Sequence, residues 1–204
     1  MLNTFAKRRL ARHYAEHFQP LNEPEYAERD DGSHSCRGLN VMRMLCRRPD
    51  GRLMQVLGTI GASQSRLPRE KGGGEPRNEY VIFVPAEWDL DREEHQWVLN
   101  LLGDLADYTC DVKKPLTYGH RVDMYSDASE LLPEDVNMTG CALLEPLGGK
   151  CPELHSCRTG LLSRVSILHV MPITADELQL EGEKLQEQFY PKSGEVKFLC
   201  ARKR

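Results

Sequence analysis

The run Glu79-Tyr80-Val81-Ile82-Phe83-Val84-Pro85 constrains this chain more than any other segment. A dense apolar stretch ended by proline fits a strand, because proline has no donor with which to continue the ladder. Such a strand should be central, and the rest of the chain has to supply its neighbours and the helices that cover it. The next segment offers one such helix. Asp91 can cap it with Glu94 at the third position, and Trp97, Val98, Leu101, Leu102, Leu105 and Ala106 recur on a single face that would lie on the sheet. Gly103 falls inside this helix and costs about 1 kcal/mol relative to alanine.

Further strands are expected at 39–46 and 53–60, joined through Pro49-Asp50-Gly51, where Asp-Gly tolerates positive φ and favours a hairpin. Others follow at 141–145, 161–170 and 195–200. The clearest helix start is at Thr174, a cap with Glu177 as its box partner and Ile173 placed to staple against Leu178. This helix is expected to run to about Gln188, with Gly182 weakening its middle. Near the beginning, Leu10, Tyr14 and Phe18 repeat every four positions in an amphipathic helix over the first 18 residues, with Lys7, Arg8, Arg9 and Arg12 largely on another face. Residues 19–38 read as connection, 66–78 with Gly72-Gly73-Gly74 as a surface loop, and 111–136 as turn-rich surface. The order of elements is not a regular βαβ alternation. The expected fold is therefore α+β, with a mixed, largely antiparallel sheet of about five or six strands packed against two or three helices. Residues 1–204 read as a single domain with an N-terminal helical extension over 1–38.

Composition excludes several functions. The chain is 40% hydrophobic and 28% charged, as a folded globule is, and its net charge of -4 gives no general attraction to nucleic acid or anionic lipid. No run approaches the roughly 20 apolar residues of a membrane helix, and the basic residues of Met1–Leu10 lack the apolar core of a secretory signal. Seven cysteines, an odd number without an export signal, favour reduced thiols and a cytoplasmic location.

Motifs of chemistry are few. Cys141, Cys151, His155 and Cys157 form the best metal candidate, since thiolate and imidazole suit zinc, but no two cysteines stand at the close spacing of structural zinc sites. His155 and Cys157 do not define a catalytic pair, and Gly61-Ala62-Ser63-Gln64-Ser65 fails the nucleophile-elbow pattern at its last position. The triple glycine lacks the Gly-Lys-Ser/Thr of a phosphate loop. Paired acids such as Asp89 with Asp91 and Glu93 with Glu94 suit a helix start. Nothing calls for a cofactor or assigns a catalytic residue. Binding candidates are Arg66, Arg69, Arg77, Trp88, Tyr118 and His120, all on or beside the irregular stretches.

Taken together, Val165–Leu178, with its strand, Pro172-Ile173-Thr174 and helix start, resembles the suppressor of fused domain family. Supporting matches are Thr59–Ser63, the strand up to Pro85, Trp97 with Leu101-Leu102 and Leu105-Ala106, and Thr139–Pro146. The signature positions are Gly61, Ser63, Pro85, Trp97, Gly140, Pro172, Thr174, Glu177 and Leu178. The resemblance implies a compact α+β binding domain without an accepted catalytic set. Animal members restrain a zinc-finger transcription factor by protein contact, and some bacterial members look like immunity proteins that neutralise toxins. The resulting expectation is a non-catalytic protein-binding domain whose partner is another protein, with a toxin as the narrower reading. It would bind through loops around 61–78 and 111–137 and an exposed sheet edge. The alternative is a metal-dependent or small-molecule enzyme using the Cys151/His155/Cys157 region.

Overall fold

The computed structural model describes residues 4–28, 36–48, 50–64, 77–112, 116–123, 138–149, 151–161 and 163–189. In chain order its elements are α1 (Thr4–Phe18), β1 (Glu25–Glu28), β2 (Asn40–Arg47), β3 (Leu53–Ile60), β4 (Asn78–Pro85), α2 (Glu93–Val112), β5 (Arg121–Asp123), β6 (Gly140–Leu144), β7 (Ser156–Arg158), β8 (Arg164–Ile173), α3 (Ala175–Leu178) and α4 (Gly182–Phe189). The apolar run is central, as β4, between β3 and β8 in a sheet ordered β1-β2-β3-β4-β8-β6-β5, with β7 pairing β8 beside this path. The β4–β8 pair is parallel and every other described pairing is antiparallel.

Strand alternation distributes the core over both faces of the sheet. Tyr80, Ile82 and Val84 of β4, with Leu168 and Val170 of β8, pack against Trp97, Leu101, Leu102 and Leu105 of α2. Val81 and Phe83 point the other way and meet Leu10, Tyr14 and Phe18 of α1. Further along that second face, Leu144, Met171 and Ile173 pack on Leu185 and Phe189 of α4. One long helix therefore covers the first face, while the second is shared by helices from opposite ends of the described chain.

The described residues hold eight strands and four helices, more than expected from sequence, because β1, β5 and β7 are three or four residues long. Strands that short leave almost no periodic signal, and they lie in stretches read as connection or loop. The strand expected at 161–170 starts later and runs further, as β8 at Arg164–Ile173, because Thr159 and Gly160 donate to the Ser163 carbonyl in a turn that separates it from β7. The strand expected at 195–200 lies outside the described residues, as does the triple-glycine loop.

Two helix boundaries differ from expectation. Asp91 does not cap α2; its carboxylate faces Arg43 at 3.5 Å, and a turn closed by Arg92 N–H on the Asp89 carbonyl precedes Glu93. The capping box at Thr174 forms as expected, Glu177 N–H donating to the Thr174 hydroxyl and Thr174 N–H to the Glu177 carboxylate. That helix nevertheless stops at Leu178 instead of reaching Gln188. Arg121 of β5 donates to the carbonyls of Leu178 and Leu180, so a side chain from elsewhere takes the acceptors that further helical turns would use.

Candidate functional site

Buried polar groups come first, because a site needs polar groups that the fold has not already engaged. Glu79, at the start of β4, is fully buried and accepts five hydrogen bonds: Thr59 Oγ1 at 2.6 Å, Gly61 N–H at 2.9 Å, Ala62 N–H at 3.2 Å, and Ser63 N–H and Oγ at 3.1 and 2.6 Å. Gly61 adopts φ +123°, open to glycine, so that three successive N–H groups converge on the carboxylate. Burial raises the Glu79 pKa, while the donors from Ser63, Thr59 and Gly61 oppose that rise. The signature residues Gly61 and Ser63 are thus the walls of a carboxylate-bound turn. No sequence pattern pointed to Glu79, although a lone acid opening an apolar strand was the available signal.

Other signature positions have equally structural reasons. A Cβ on Gly140 would stand 2.5 Å from the Val122 carbonyl oxygen, so only glycine lets β5 approach β6. Ile173 turns its carbonyl to Thr139, which sends the donorless nitrogen of Pro172 to the other side, where pairing with β4 has stopped at His169. His169 is buried against Phe83, ring centroids 4.6 Å apart, and burial lowers its pKa to about 3.

Of the binding candidates, Arg66 and Arg69 lie outside the described residues. Arg77 immediately precedes β4, and its neighbour Asn78 donates to the Leu116 carbonyl, so the turn carrying Tyr118 and His120 starts beside it. Tyr118 is exposed, and both ring nitrogens of His120 contact Thr117 at 3.2 Å. Trp88 lies beyond the opposite end of β4. It is half-buried, stacks on His95 with centroids 4.4 Å apart, and packs against the α2 side of the core. Trp97 is buried in that same core.

The four metal candidates are not gathered. Cys141 is buried on the α2 side of the sheet, whereas Cys151 and Cys157 pack on the α1 side. Cys151 faces His17 Nδ1 at 3.6 Å, His155 faces Glu145 at 3.8 Å, and Cys157 Sγ points to the Arg9 carbonyl at 3.9 Å. Among the described residues no group of three or more His, Cys, Asp or Glu side chains is disposed to hold a metal ion. Burial pushes the thiols of Cys141 up to about 12 and of Cys157 to about 11, which keeps them protonated at neutral pH and poor as nucleophiles.

What remains is surface. At the β1 edge, Tyr26 and Leu21 are each about half exposed, at 54% and 51%. Between α1 and β7 runs an open groove of about 650 Å³ lined by Phe5, Arg8, Arg9, Arg12, His13 and Arg158, along with Glu16 and Cys157. Sequence reading noticed the α1 bases but could not place Arg158 beside them. Among the described residues no helix is long and apolar enough to cross a membrane.

Comparisons with known proteins agree with this architecture. The sequence model of the suppressor of fused protein (SUFU) family matches residues 36–195. The crystal structure of the Sufu–Fu complex contains a chain of TM-score 0.66 and 12% identity, with 92% of this chain and 84% of that one covered. A 1.40 Å crystal structure described as a SUFU homologue from Neisseria gonorrhoeae FA 1090 has TM-score 0.66 and 15% identity, covering 99% of this chain and 97% of that one. At such identities the two structures show the fold alone. Comparison with curated proteins returns no significant match. With the family match spanning well over half of its length, and a mixed sheet of the same fold beneath it, this chain belongs to the suppressor of fused protein family.

Proposed function

We propose that the chain is a non-catalytic protein-binding domain of the cytoplasm that works as an immunity-type inhibitor of a bacterial toxin. The observation that carries this reading is the open sheet. Among the described residues, the outer strands β1 and β5 each pair on one side only, and Tyr26 stands exposed on the first of them. An unpaired edge offers backbone donors and acceptors to an incoming strand, while an exposed aromatic beside it supplies apolar contact. Family membership supports the reading, and the relative crystallised as a Sufu–Fu complex is itself found with a partner. The buried thiols and Glu79 are engaged internally, so the surface is where this chain has chemistry to offer.

The test is co-expression with the product of a toxin-like reading frame adjacent to this gene. A stable complex, growth rescue, and loss of both on Tyr26→Lys are the expected results. Charge reversal at Arg66, Arg69 and Arg77 is expected to weaken the same complex. Failure of every adjacent product to bind, or turnover of a small molecule by the purified chain, would sink the proposal.

A further inference from the structure

The groove between α1 and β7 combines features that burial and helix packing do not require. Leu10, Tyr14 and Phe18 on one side of α1 are buried against the sheet, so the helix is already anchored and its outer side is not needed for that purpose. Along that outer side, four guanidinium groups, from Arg8, Arg9, Arg12 and Arg158, line the groove against the single carboxylate of Glu16. Glu16 is taken by Arg12 at 2.7 Å, and no acidic side chain among the described residues pairs with Arg8 or Arg9. Arg9 instead stands over the ring of Phe5, 5.3 Å from its centroid, and Phe5 is 61% exposed. Arg158 is held by the carbonyls of Gly160 and Leu161, which fixes it at the β7 wall of the groove.

This concentration of positive charge stands out because the whole chain carries -4. Clustering like charges around a concave surface is unfavourable unless an anion relieves it, and guanidinium groups match carboxylates with paired donors. Duplex or single-stranded nucleic acid is the poorer occupant. A net acidic molecule repels a long phosphate track, and the groove offers a single phenylalanine where strand binding uses a series of stacking aromatics. A groove of about 650 Å³ suits a few residues of peptide.

We infer that the α1/β7 groove docks a short acidic segment of a partner polypeptide, its carboxylates meeting Arg8, Arg9 and Arg12 and an apolar side chain resting on Phe5. The inference deepens the protein-binding reading by giving the partner's chemistry at a surface separate from the β1 edge. Its α1 wall lies before the residues matched by the family, while Cys157 and Arg158 of its β7 wall lie among them.

The experiment is fluorescence anisotropy with the full chain and a labelled peptide of glutamates around one leucine. Binding is expected to weaken about tenfold or more in Arg8→Glu/Arg9→Glu, with the circular dichroism spectrum and thermal midpoint of the parent retained. It should also weaken as salt rises from about 0.05 M to about 0.3 M, and Tyr26→Lys should leave it unchanged. Equal affinity in parent and double variant would overturn the inference, as would tighter binding of a single-stranded oligonucleotide of equal charge. Peptide binding at the groove without any toxin complex would leave this inference standing and remove the toxin reading. A toxin complex that survives Arg8→Glu/Arg9→Glu, with no peptide binding, would do the reverse.

Discussion

The interior of the sheet and the outer side of α1 use charge in opposite ways. Glu79 is enclosed by five donors that belong to a single turn and the strand beside it, and His169, one strand over, is buried against Phe83. Arg8, Arg9 and Arg12 stand on a helix whose buried side is complete without them. In the first region ionisable groups hold backbone in place, and altering one disturbs the fold. In the second they face solvent, and among the described residues Arg12 has only the exposed Glu16 one turn along as its ionic partner. A charged residue's role is thus set by whether its neighbours are fixed donors or solvent, and the residue type alone does not reveal it.

The largest effect expected to sharpen this contrast is acid sensitivity. The folded pKa of His169 lies at about 3 against an ordinary 6.5, so the unfolded chain binds a proton that the native chain refuses. Stability from this group is complete above 6.5 and is lost, at about 1.4 kcal/mol per pH unit, as pH falls toward about 3. Urea unfolding at several pH values should show that slope in the parent and a reduced one in His169→Leu. Identical slopes would mean that the imidazole is not sealed from water. Glu79 acts in the other direction: its raised folded pKa means that its contribution falls as pH rises through that value, so the comparison must be made between parent and variant at each pH.

Next in size, Glu79→Gln presents an amide to donors arranged for a carboxylate, leaving at least one buried N–H without an acceptor. A loss of about 2–4 kcal/mol is expected by chemical denaturation, with peptide binding at the α1 groove unaltered in the folded fraction. Unchanged stability would show that the turn at 61–63 does not depend on the acid. Smallest of all, Arg8→Glu should shift stability by no more than about 0.5 kcal/mol, as exposed substitutions do. A large drop in its thermal midpoint would break the distinction between the two regions by making Arg8 part of the fold.

Much of the fold was legible in the chain because its main strands and helices carry long periodic patterns. β3 was placed at 53–60 and β4 within one residue, since apolar runs bounded by glycine or proline have sharp ends. The mixed sheet and the capping box at Thr174 were legible for the same reason. The three short strands were not, because strands of three or four residues are chosen by the partner that pairs with them. Nor was the early end of α3, which depends on Arg121, 57 residues away from the carbonyl it binds. The candidate surfaces were partly visible: bases on α1 and an exposed edge could be suspected, while the neighbourhood of Arg158, Phe5 and Arg9 could not.

By itself the sequence determined the long strands and the main helices, which sides of them are apolar, and that its thiols and acids follow no catalytic spacing. Local periodicity and capping act over a few residues, and they are written where they act. Only tertiary structure decided that Glu79 collects its donors, that Cys141 lies across the sheet from Cys151 and Cys157, and that an arginine from β7 joins those of α1. Those arrangements depend on which strands become neighbours. That choice is made by the burial of whole faces and by chain closure over many residues, which no short window of sequence contains.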